Sequence, residues 1–274
     1  MRLKKGLLPL FFILSAGLFG ETGLEIIVED NASGLTITGS RGNVKTLIIP
    51  DTIDGKPVTV IGNGVFSGRG LTEVVIPDSV TAIGDGAFSF NSLESVDIPE
   101  NVTVLGTGAF TGNMLATVSL GSGVTVIGRG AFSNNRITSV TIPDGVSVIG
   151  DYAFLNNRIR EIAIPESVTV IGEGAFSGNR LTAVEIGGGV TRIGDGAFYN
   201  NRITSVTIPP SLETLGRRSF DTRSPDGRIR GNVNFTDASG NVLHTTANNF
   251  DTFFASNGRR PGRYVLSGGT WTHE

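Results

Sequence analysis

The sequence predicts a mainly β repeat solenoid built from coils of 22 residues. Three series of residues carry this prediction, because Phe, Gly and a branched aliphatic residue each recur eight times at intervals of 22. The Phe series runs from Phe66 to Phe220, the Gly series runs from Gly62 to Gly216, and Ile or Leu precedes each Gly of that series. A fixed period of about 20–50 residues is typical of stacked repeats, in which each unit packs only against its neighbours.

The first twenty residues have the form of a bacterial secretory signal peptide. A basic start, Met1–Lys5, precedes the apolar run Leu7–Leu14 and the small residues within Ser15–Gly20. We expect cleavage near Gly20, with an uncleaved anchor as the alternative, and the apolar run is too short for a spanning helix. Cleavage would remove three of the 22 basic residues and no acidic residue, which shifts the formal net charge from −3 to −6. The chain is therefore predicted to be secreted or displayed at the cell surface, without a membrane span after cleavage.

Both ends of the solenoid, which is expected over residues 44–224, need a cap, because a stacked array exposes apolar surface at its first and last coils. Residues 21–43 are predicted to form the N-terminal cap, with Leu24–Glu29 and Leu35–Thr38 as the strands of a hairpin. Residues 225–274 are predicted to form a small C-terminal tail or cap. Its expected strands are Asn232–Thr236 and Arg263–Ser267, and Phe250–Phe254 is expected to form a helical turn. Phe254, Tyr264 and Trp271 are expected to pack together in the cap.

The unit Ile137–Arg158 shows how one coil is expected to fold. A first strand is predicted over Ile137–Ile142, with Ile137, Val140 and Ile142 as its inward apolar positions and with Ser139 and Thr141 outward. Pro143 ends this strand, because Pro cannot continue a central ladder. The segment Val148–Ile149 predicts a second short strand on the opposite side of the coil. The segment Tyr152–Phe154 is too short for an α-helix and predicts a 3₁₀-like turn.

Two columns of the repeat are predicted to form its interior. Like residues lie above like residues in a stacked solenoid, so the Phe series is expected to form one buried aromatic ladder. An Asn in each coil-closing turn is expected to point inward and to satisfy loop N–H and C=O groups: Asn91, Asn113, Asn135, Asn157, Asn179 and Asn201. The first coil is looser, because it carries five extra residues around Ile53–Pro57.

The repeat resembles the leucine-rich repeats of the BspA-like class over about Val44–Ser224. In the unit described above, Ile142-Pro143, Val146, Ile149-Gly150 and Ala153-Phe154 fall at that family's positions. The sequence departs from the family pattern in its period of 22, where about 23 is commoner, and in carrying Asn at the Cys-like closing position. The resemblance implies a right-handed solenoid with a parallel sheet on its concave side. It also implies a bacterial surface or secreted protein, since several members of that class are described as adhesins.

The composition argues against an enzyme. The chain has no Cys, and its only two His residues, His244 and His273, lie in the tail. Disulfides, thiol catalysis and Cys-based metal sites are therefore excluded. One column is mostly acidic: Asp85, Asp151, Glu173 and Asp195. A calcium site there is disfavoured because Arg129 shares the column. We expect no cofactor, no metal and no nucleic acid partner, since a net charge of −3 gives no overall basic field.

Two surface columns remain as candidate binding sites. The outward residues of the predicted concave strands are small, polar and in places acidic, with no basic residue among them. The predicted concave site consists of Glu73, Val75, Asp97, Thr117, Ser119, Ser139, Thr141, Glu161 and Glu185. Four arginines at the coil-closing turns form the second column, here called the arginine edge: Arg136, Arg158, Arg180 and Arg202. Long Arg side chains that merely cover apolar turns are the alternative interpretation of that edge.

Together these features predict a non-catalytic protein that binds a protein or a glycan at a surface, in the manner of an adhesin. The concave sheet is favoured for a protein ligand, because it is the largest flat and preformed surface. The arginine edge would suit an anionic ligand instead. The alternative function is a structural spacer or envelope component without a specific ligand, since the side chains of the concave strands differ little from coil to coil.

Overall fold

The 22-residue period of the sequence becomes a stack of coils in the computed structural model. The structure describes residues 24–203 and 206–220 in full, and the backbone alone at residue 205 and in five short strands outside that range. The described residues contain no helix, and about eight coils follow one another, each with a short second strand and all but one with a short first strand. This arrangement confirms the predicted β solenoid.

The N-terminal hairpin is formed as predicted. The strands Leu24–Asp30 and Leu35–Arg41 pair antiparallel, and their inward residues join the core. The backbone of Leu10–Leu14 pairs antiparallel with the first of these strands. The second pairs in parallel with Lys56–Ile61 of the first coil. The hairpin therefore continues the stack past the first coil and covers its end.

The extra residues of the first coil form a tight hairpin of their own. Thr52–Ile53 pairs antiparallel with Lys56–Ile61 across the two-residue turn of Asp54 and Gly55. Both turn residues have positive φ, 51° and 74°, as a type I′ turn requires. The insertion is thus closed locally and leaves the stacking of the following coils intact.

Each coil contributes a second strand to one continuous sheet. After Lys56–Ile61 these strands have two residues each: Ala82–Ile83, Val104–Leu105, Val126–Ile127, Val148–Ile149, Val170–Ile171, Arg192–Ile193 and Thr214–Leu215. Neighbours pair in parallel without a slip, so that Val104 lies opposite Val126 and Val126 lies opposite Val148. With the N-terminal strands they make a 12-stranded sheet. The predicted second strand is therefore confirmed, and it provides the unbroken spine of the molecule.

The first strands of the coils form three separate pieces of parallel sheet. The first piece contains Thr46–Ile48 and Glu73–Val75, and the second contains Ser95–Ile98 and Thr117–Leu120. The third contains Glu161–Ile164, Ala183–Ile186 and Ser205–Thr207, together with strands of the C-terminal tail. The sheet that the resemblance implies is present but interrupted twice, whereas the continuous sheet lies on the second-strand side.

The prediction of a strand over Ile137–Ile142 is wrong. In this segment Ser139 makes only an isolated bridge to Thr117. The side chains nevertheless alternate as expected, with Ile142 buried and Thr141 exposed. Burial thus follows the sequence pattern even where the backbone ladder is open.

Both interruptions coincide with a long charged residue directly before the first outward side chain of the next strand piece, Glu94 in one coil and Arg160 in the other. At intact interfaces this position is Ala116 or Thr182, whose N–H bonds to the carbonyl of the preceding coil at 2.8 and 2.9 Å. Among the described residues, the N–H groups of Glu94 and Arg160 make no such bond. Short side chains at this position therefore accompany close approach of the coils.

The predicted 3₁₀-like turn at Tyr152–Phe154 is also wrong. Tyr152 has a φ of 58°, in the left-handed region that a 3₁₀-helix does not visit. Its N–H bonds to the carbonyl of Glu173 in the next coil at 2.7 Å, whereas the N–H of Ala153 bonds within the coil to Gly150 at 3.2 Å. Alternate N–H groups thus serve neighbouring coils, and the segment is a chain of turns.

The predicted aromatic ladder forms the centre of the core. The eight Phe rings from Phe66 to Phe220 stack with centroids 5.0–5.5 Å apart and interplanar angles of 3–16°, and all are buried. The Gly series sets this spacing from one side. A Cβ on Gly128 would lie 2.2 Å from the carbonyl oxygen of Leu105, so a side chain there would push the coils apart.

Beyond Phe220 the structure describes only the backbone of four strands: Asn234–Thr236, Val242–Leu243, Arg263–Ser267 and Thr270–His273. The first of them pairs in parallel with Ser205–Thr207 and extends the last sheet piece past the final coil. The other three pair antiparallel within the tail. The two predicted tail strands are therefore formed, whereas the predicted turn at Phe250–Phe254 lies outside the described residues.

Candidate functional site

Buried amides hold the coil-closing turns in place. In one coil, Asn135 Nδ2 donates to the carbonyls of Phe132 and Phe110 at 3.1 and 2.9 Å, and its Oδ1 accepts the N–H of Leu115 at 3.1 Å. The same three bonds recur at Asn91, Asn113, Asn157, Asn179 and Asn201. This asparagine ladder confirms the predicted inward role, and it fixes the backbone from which the next residue, usually Arg, projects.

A shallow depression of about 570 Å³ lies on the first-strand side, where the ladder opens after the isolated bridge at Ser139. Its lining residues are Ser139, Val140, Thr141, Ile142, Asp144, Glu161, Ile162, Ala163, Pro165, Ala183 and Glu185. Three of them are carboxylates, none is basic, and within the described chain none of the three carboxylates has an ion-pair partner. The depression therefore carries a negative potential over a floor of small apolar groups.

The structure brings together part of the predicted concave site. Four of its nine residues line the depression: Ser139, Thr141, Glu161 and Glu185. The other five lie on coils nearer the N-terminus: Glu73, Val75, Asp97, Thr117 and Ser119. All nine are exposed. Val75 pairs with Ile48, and these two side chains are 46% and 60% exposed, so the first-strand side is apolar at one end and acidic further along.

The arginine edge is exposed throughout. Among the described residues, none of its four guanidinium groups makes a hydrogen bond or an ion pair. Three of its arginines border a second depression, of about 350 Å³, whose lining residues are Asn135, Asn156, Asn157, Arg158, Gly178, Asn179, Arg180, Asn200, Asn201 and Arg202. Arg136 lies one coil before Arg158 and does not border it. The second depression is thus polar and cationic, in contrast to the first.

A third column of the closing turns escaped the sequence analysis. It lies one residue before the asparagine ladder, and its members have left-handed φ values of 55–71°: Gly68, Phe90, Gly112, Asn134, Asn156, Gly178 and Asn200. Gly and Asn dominate because they adopt this conformation most readily. Their recurrence at the 22-residue spacing, beside the Asn series, was the signal that could have revealed them.

The exposed residues of this edge change from apolar to polar along the stack. Near its N-terminal end the Phe90 ring is 69% exposed and lies over Gly112, and Met114 in the next closing turn is 38% exposed. From Asn134 onward the exposed residues of the edge are Asn and Arg. The polar and cationic part is therefore confined to the C-terminal half of the solenoid.

The acidic column on the opposite turn has a structural role. Asp85, Asp151 and Asp195 each accept, through Oδ1, a backbone N–H of the next coil at 2.7–2.8 Å. Next to this column the Tyr152 hydroxyl donates to the Glu173 carboxylate, and this bond raises the pKa of Tyr152 above its ordinary value. Most of these carboxylates thus serve to link neighbouring coils.

In the part of the chain that the structure describes, no helix is long and apolar enough to cross a membrane. No cluster of three or more His, Cys, Asp or Glu side chains is arranged to hold a metal ion in the same part of the chain.

Coils that pair in parallel at a 22-residue spacing, around stacked Phe rings and buried Asn amides, define a leucine-rich repeat solenoid. The chain belongs to the family described as "BspA type Leucine rich repeat region", whose pattern matches six copies over residues 40–160 and 147–253. The resemblance noted from the sequence is thereby confirmed.

Solved structures of bacterial repeat proteins are similar to this chain. A leucine rich cell surface protein from Faecalibacterium prausnitzii A2-165 is 27% identical, with a TM-score of 0.45, over 76% of this chain and 73% of that one. A leucine rich repeat protein of T. pallidum is 26% identical, with a TM-score of 0.51, over 60% of this chain and 84% of that one. A leucine-rich repeat protein from Bacteroides ovatus is 23% identical, with a TM-score of 0.47, over 70% and 66% of the two chains. Among curated proteins, none matches this chain.

Proposed function

We propose that this protein is a non-catalytic binding protein that docks a basic segment of a protein ligand in the acidic depression of its first-strand side. One observation supports this function above the others: Asp144, Glu161 and Glu185 surround the depression without a basic neighbour in its lining. A Lys or Arg side chain of a ligand would supply the missing countercharge. Ala163 and Ala183 leave room for the aliphatic part of such a side chain.

The coils that carry the depression are well suited to binding because they are preformed. The aromatic and asparagine ladders fix the backbone on the inner side of each coil, so little ordering is needed when a ligand arrives. The depression lacks an aromatic anchor, which limits the affinity to about the micromolar range.

We also propose that the chain is exported, with residues 1–20 as a cleaved signal peptide. Membership of the BspA-type family supports a surface or secreted location. Cleavage near Gly20 would remove the strand Leu10–Leu14 and leave Leu24–Asp30 as the edge of the sheet. Mass spectrometry of the intact protein from the envelope and culture fractions checks this proposal: a mature chain starting near Glu21 is expected, and a surface-bound chain that retains Met1–Gly20 would contradict it.

The binding proposal is tested with two double variants, each of which adds two positive charges, against a panel of immobilised extracellular-matrix proteins. Ser139→Lys with Thr141→Lys places two cations in the depression, and we expect binding to fall by about tenfold. Thr117→Lys with Ser119→Lys makes the same change one coil earlier, outside the depression, and is the matched control. Equal loss in both variants would contradict the site. Full binding in both, or no binding by the parent protein, would favour the alternative function of a structural spacer.

A further inference from the structure

The left-handed column of the closing turns contains an interrupted chain of amides. Asn156 Nδ2 donates to Asn134 Oδ1 at 3.0 Å, so the amide of one coil bonds to that of the coil before. The next member of the column is Gly178, and the chain of amides stops there. A Cβ on Gly178 would lie 2.4 Å from Asn156 Oδ1, which shows that this oxygen lies directly against the glycine.

The missing side chain leaves hydrogen-bonding capacity on both sides of a notch. Asn156 Oδ1 accepts no hydrogen bond within the described chain, and the amide of Asn200, on the far side of the notch, has no partner there either. The two residues are separated by two coil steps, which measure 5.3 and 5.4 Å along the aromatic ladder. The acceptor of Asn156 and the amide of Asn200 thus belong to residues that border the same depression as Gly178.

Three arginines surround this notch. Arg158, Arg180 and Arg202 border the same depression of about 350 Å³, and none of their guanidinium groups is neutralised by a carboxylate in the described part of the chain. Their backbone N–H groups bond to the preceding coil at 2.8–2.9 Å, so the arginines start from fixed positions one coil apart. The site therefore combines preset positive charge with the oxygen of Asn156 and the amide of Asn200, which are unused and unpaired within the described chain.

We infer that the notch above Gly178 binds an acidic saccharide, in particular a sugar unit that carries a carboxylate. Guanidinium groups bind a planar carboxylate through paired hydrogen bonds. Sugar hydroxyls donate and accept, so one hydroxyl suits the Asn156 oxygen and another suits the Asn200 amide. The spacing of one coil is comparable to the rise of one residue in an extended polysaccharide, so successive arginines could follow successive acidic sugars.

Simpler anions fit this site less well. Inorganic sulfate would engage the arginines but offers no donor to the oxygen of Asn156. A single-stranded nucleic acid would need aromatic platforms for its bases, and the lining of the notch contains none. This inference goes beyond the acidic depression proposed above, and it concerns a different edge and a ligand of opposite charge.

The notch can be closed by one substitution that the fold already accepts elsewhere. Gly178→Asn introduces the residue found in the same left-handed conformation at Asn134 and Asn156, and it would extend the chain of amides across the gap. Gly68→Asn makes the identical change in the same column, where a Cβ meets nothing within 4 Å and no arginine lies in the same closing-turn position. It is the matched control. Because the Asn156 amide must rotate away from the new Cβ of Gly178→Asn, melting curves of both variants establish that each is folded before binding is compared.

Isothermal titration with tetragalacturonate, its fully methyl-esterified form and sodium sulfate tests the inference. We expect the parent protein and Gly68→Asn to bind tetragalacturonate, and Gly178→Asn and Arg180→Ser to bind it at least about tenfold more weakly. The methyl ester, which is uncharged, should also bind at least about tenfold more weakly.

Four results would overturn the inference. They are no binding of tetragalacturonate by the parent protein, equal binding of the methyl ester, equal binding by Gly178→Asn, and displacement by sulfate at equal concentration. Loss of binding in both glycine variants alike would also overturn it, because the effect would then not depend on the notch. None of these results bears on the acidic depression, whose test uses other variants and other ligands.

Discussion

The second-strand side and the first-strand side of the same coils differ in regularity. On the second-strand side, every coil from Ala82–Ile83 to Thr214–Leu215 pairs with the next in one unbroken register. On the first-strand side the ladder is interrupted twice, and the acidic depression lies at the second interruption. The stack is held by its turns, its second strands and its core, and the first strands are therefore free to vary in pairing and in surface chemistry.

The largest expected effect concerns the core that both sides share. Phe132→Ala removes a ring stacked between Phe110 and Phe154, and we expect the free energy of unfolding to fall by about 3–5 kcal/mol. Phe90→Ala makes the same change at a ring that is 69% exposed, and it should change that free energy by less than about 0.5 kcal/mol. Urea unfolding of both variants measures the difference, and similar losses would contradict the role of the ladder.

The next effect concerns the buried amides of the closing turns. Asn135→Leu leaves the carbonyls of Phe110 and Phe132 and the N–H of Leu115 without partners, and we expect a loss of about 2–4 kcal/mol. Asn134→Gly removes an exposed amide one residue earlier and should cost little, because Gly accepts the left-handed conformation. Thermal melts followed by circular dichroism separate the two variants. A stable Asn135→Leu protein would show that water replaces the amide.

A smaller effect distinguishes two kinds of glycine within one turn. Gly128→Ala would place a Cβ 2.2 Å from a backbone oxygen of the preceding coil, and we expect a loss of about 1–3 kcal/mol. Gly130→Ala meets its nearest atom at 3.6 Å, so only the left-handed φ of 61° should cost about 1 kcal/mol. Denaturant midpoints compare the two. A larger loss in Gly130→Ala would mean that conformation, and not the approach of the coils, selects glycine in this turn.

The smallest expected effect tests why the first-strand side is less regular than the second-strand side. Arg160→Thr introduces the residue found at the intact interface, Thr182, and should allow the coils on either side of the second break to pair. We expect amide exchange in Glu161–Ile164 and its neighbour Ile137–Ile142 to slow, with a change in stability below about 1 kcal/mol. Hydrogen exchange followed by mass spectrometry measures this. Thr182→Arg is the reverse change, and unaltered exchange in both variants would show that the long side chains do not cause the breaks.

The period of 22 residues determined most of this fold. It placed the Phe series and the Asn series inside and predicted two strands per coil, because identical coils can bury an identical residue only against its own copies. It also identified the arginine edge, since residues at one position of the period share one edge. The inward direction of Ile137, Val140 and Ile142 and the outward direction of Ser139 and Thr141 followed from the pattern of apolar and polar residues, even though no strand forms there.

The tertiary structure decided the features that differ from one coil to the next. The breaks at Glu94 and Arg160 and the notch above Gly178 arise where one coil departs from the average, and a periodic pattern records only the average. Whether two outward residues of different coils share a depression depends on how closely those coils approach. That distance is set by contacts between neighbouring backbones, which the sequence of one repeat does not contain.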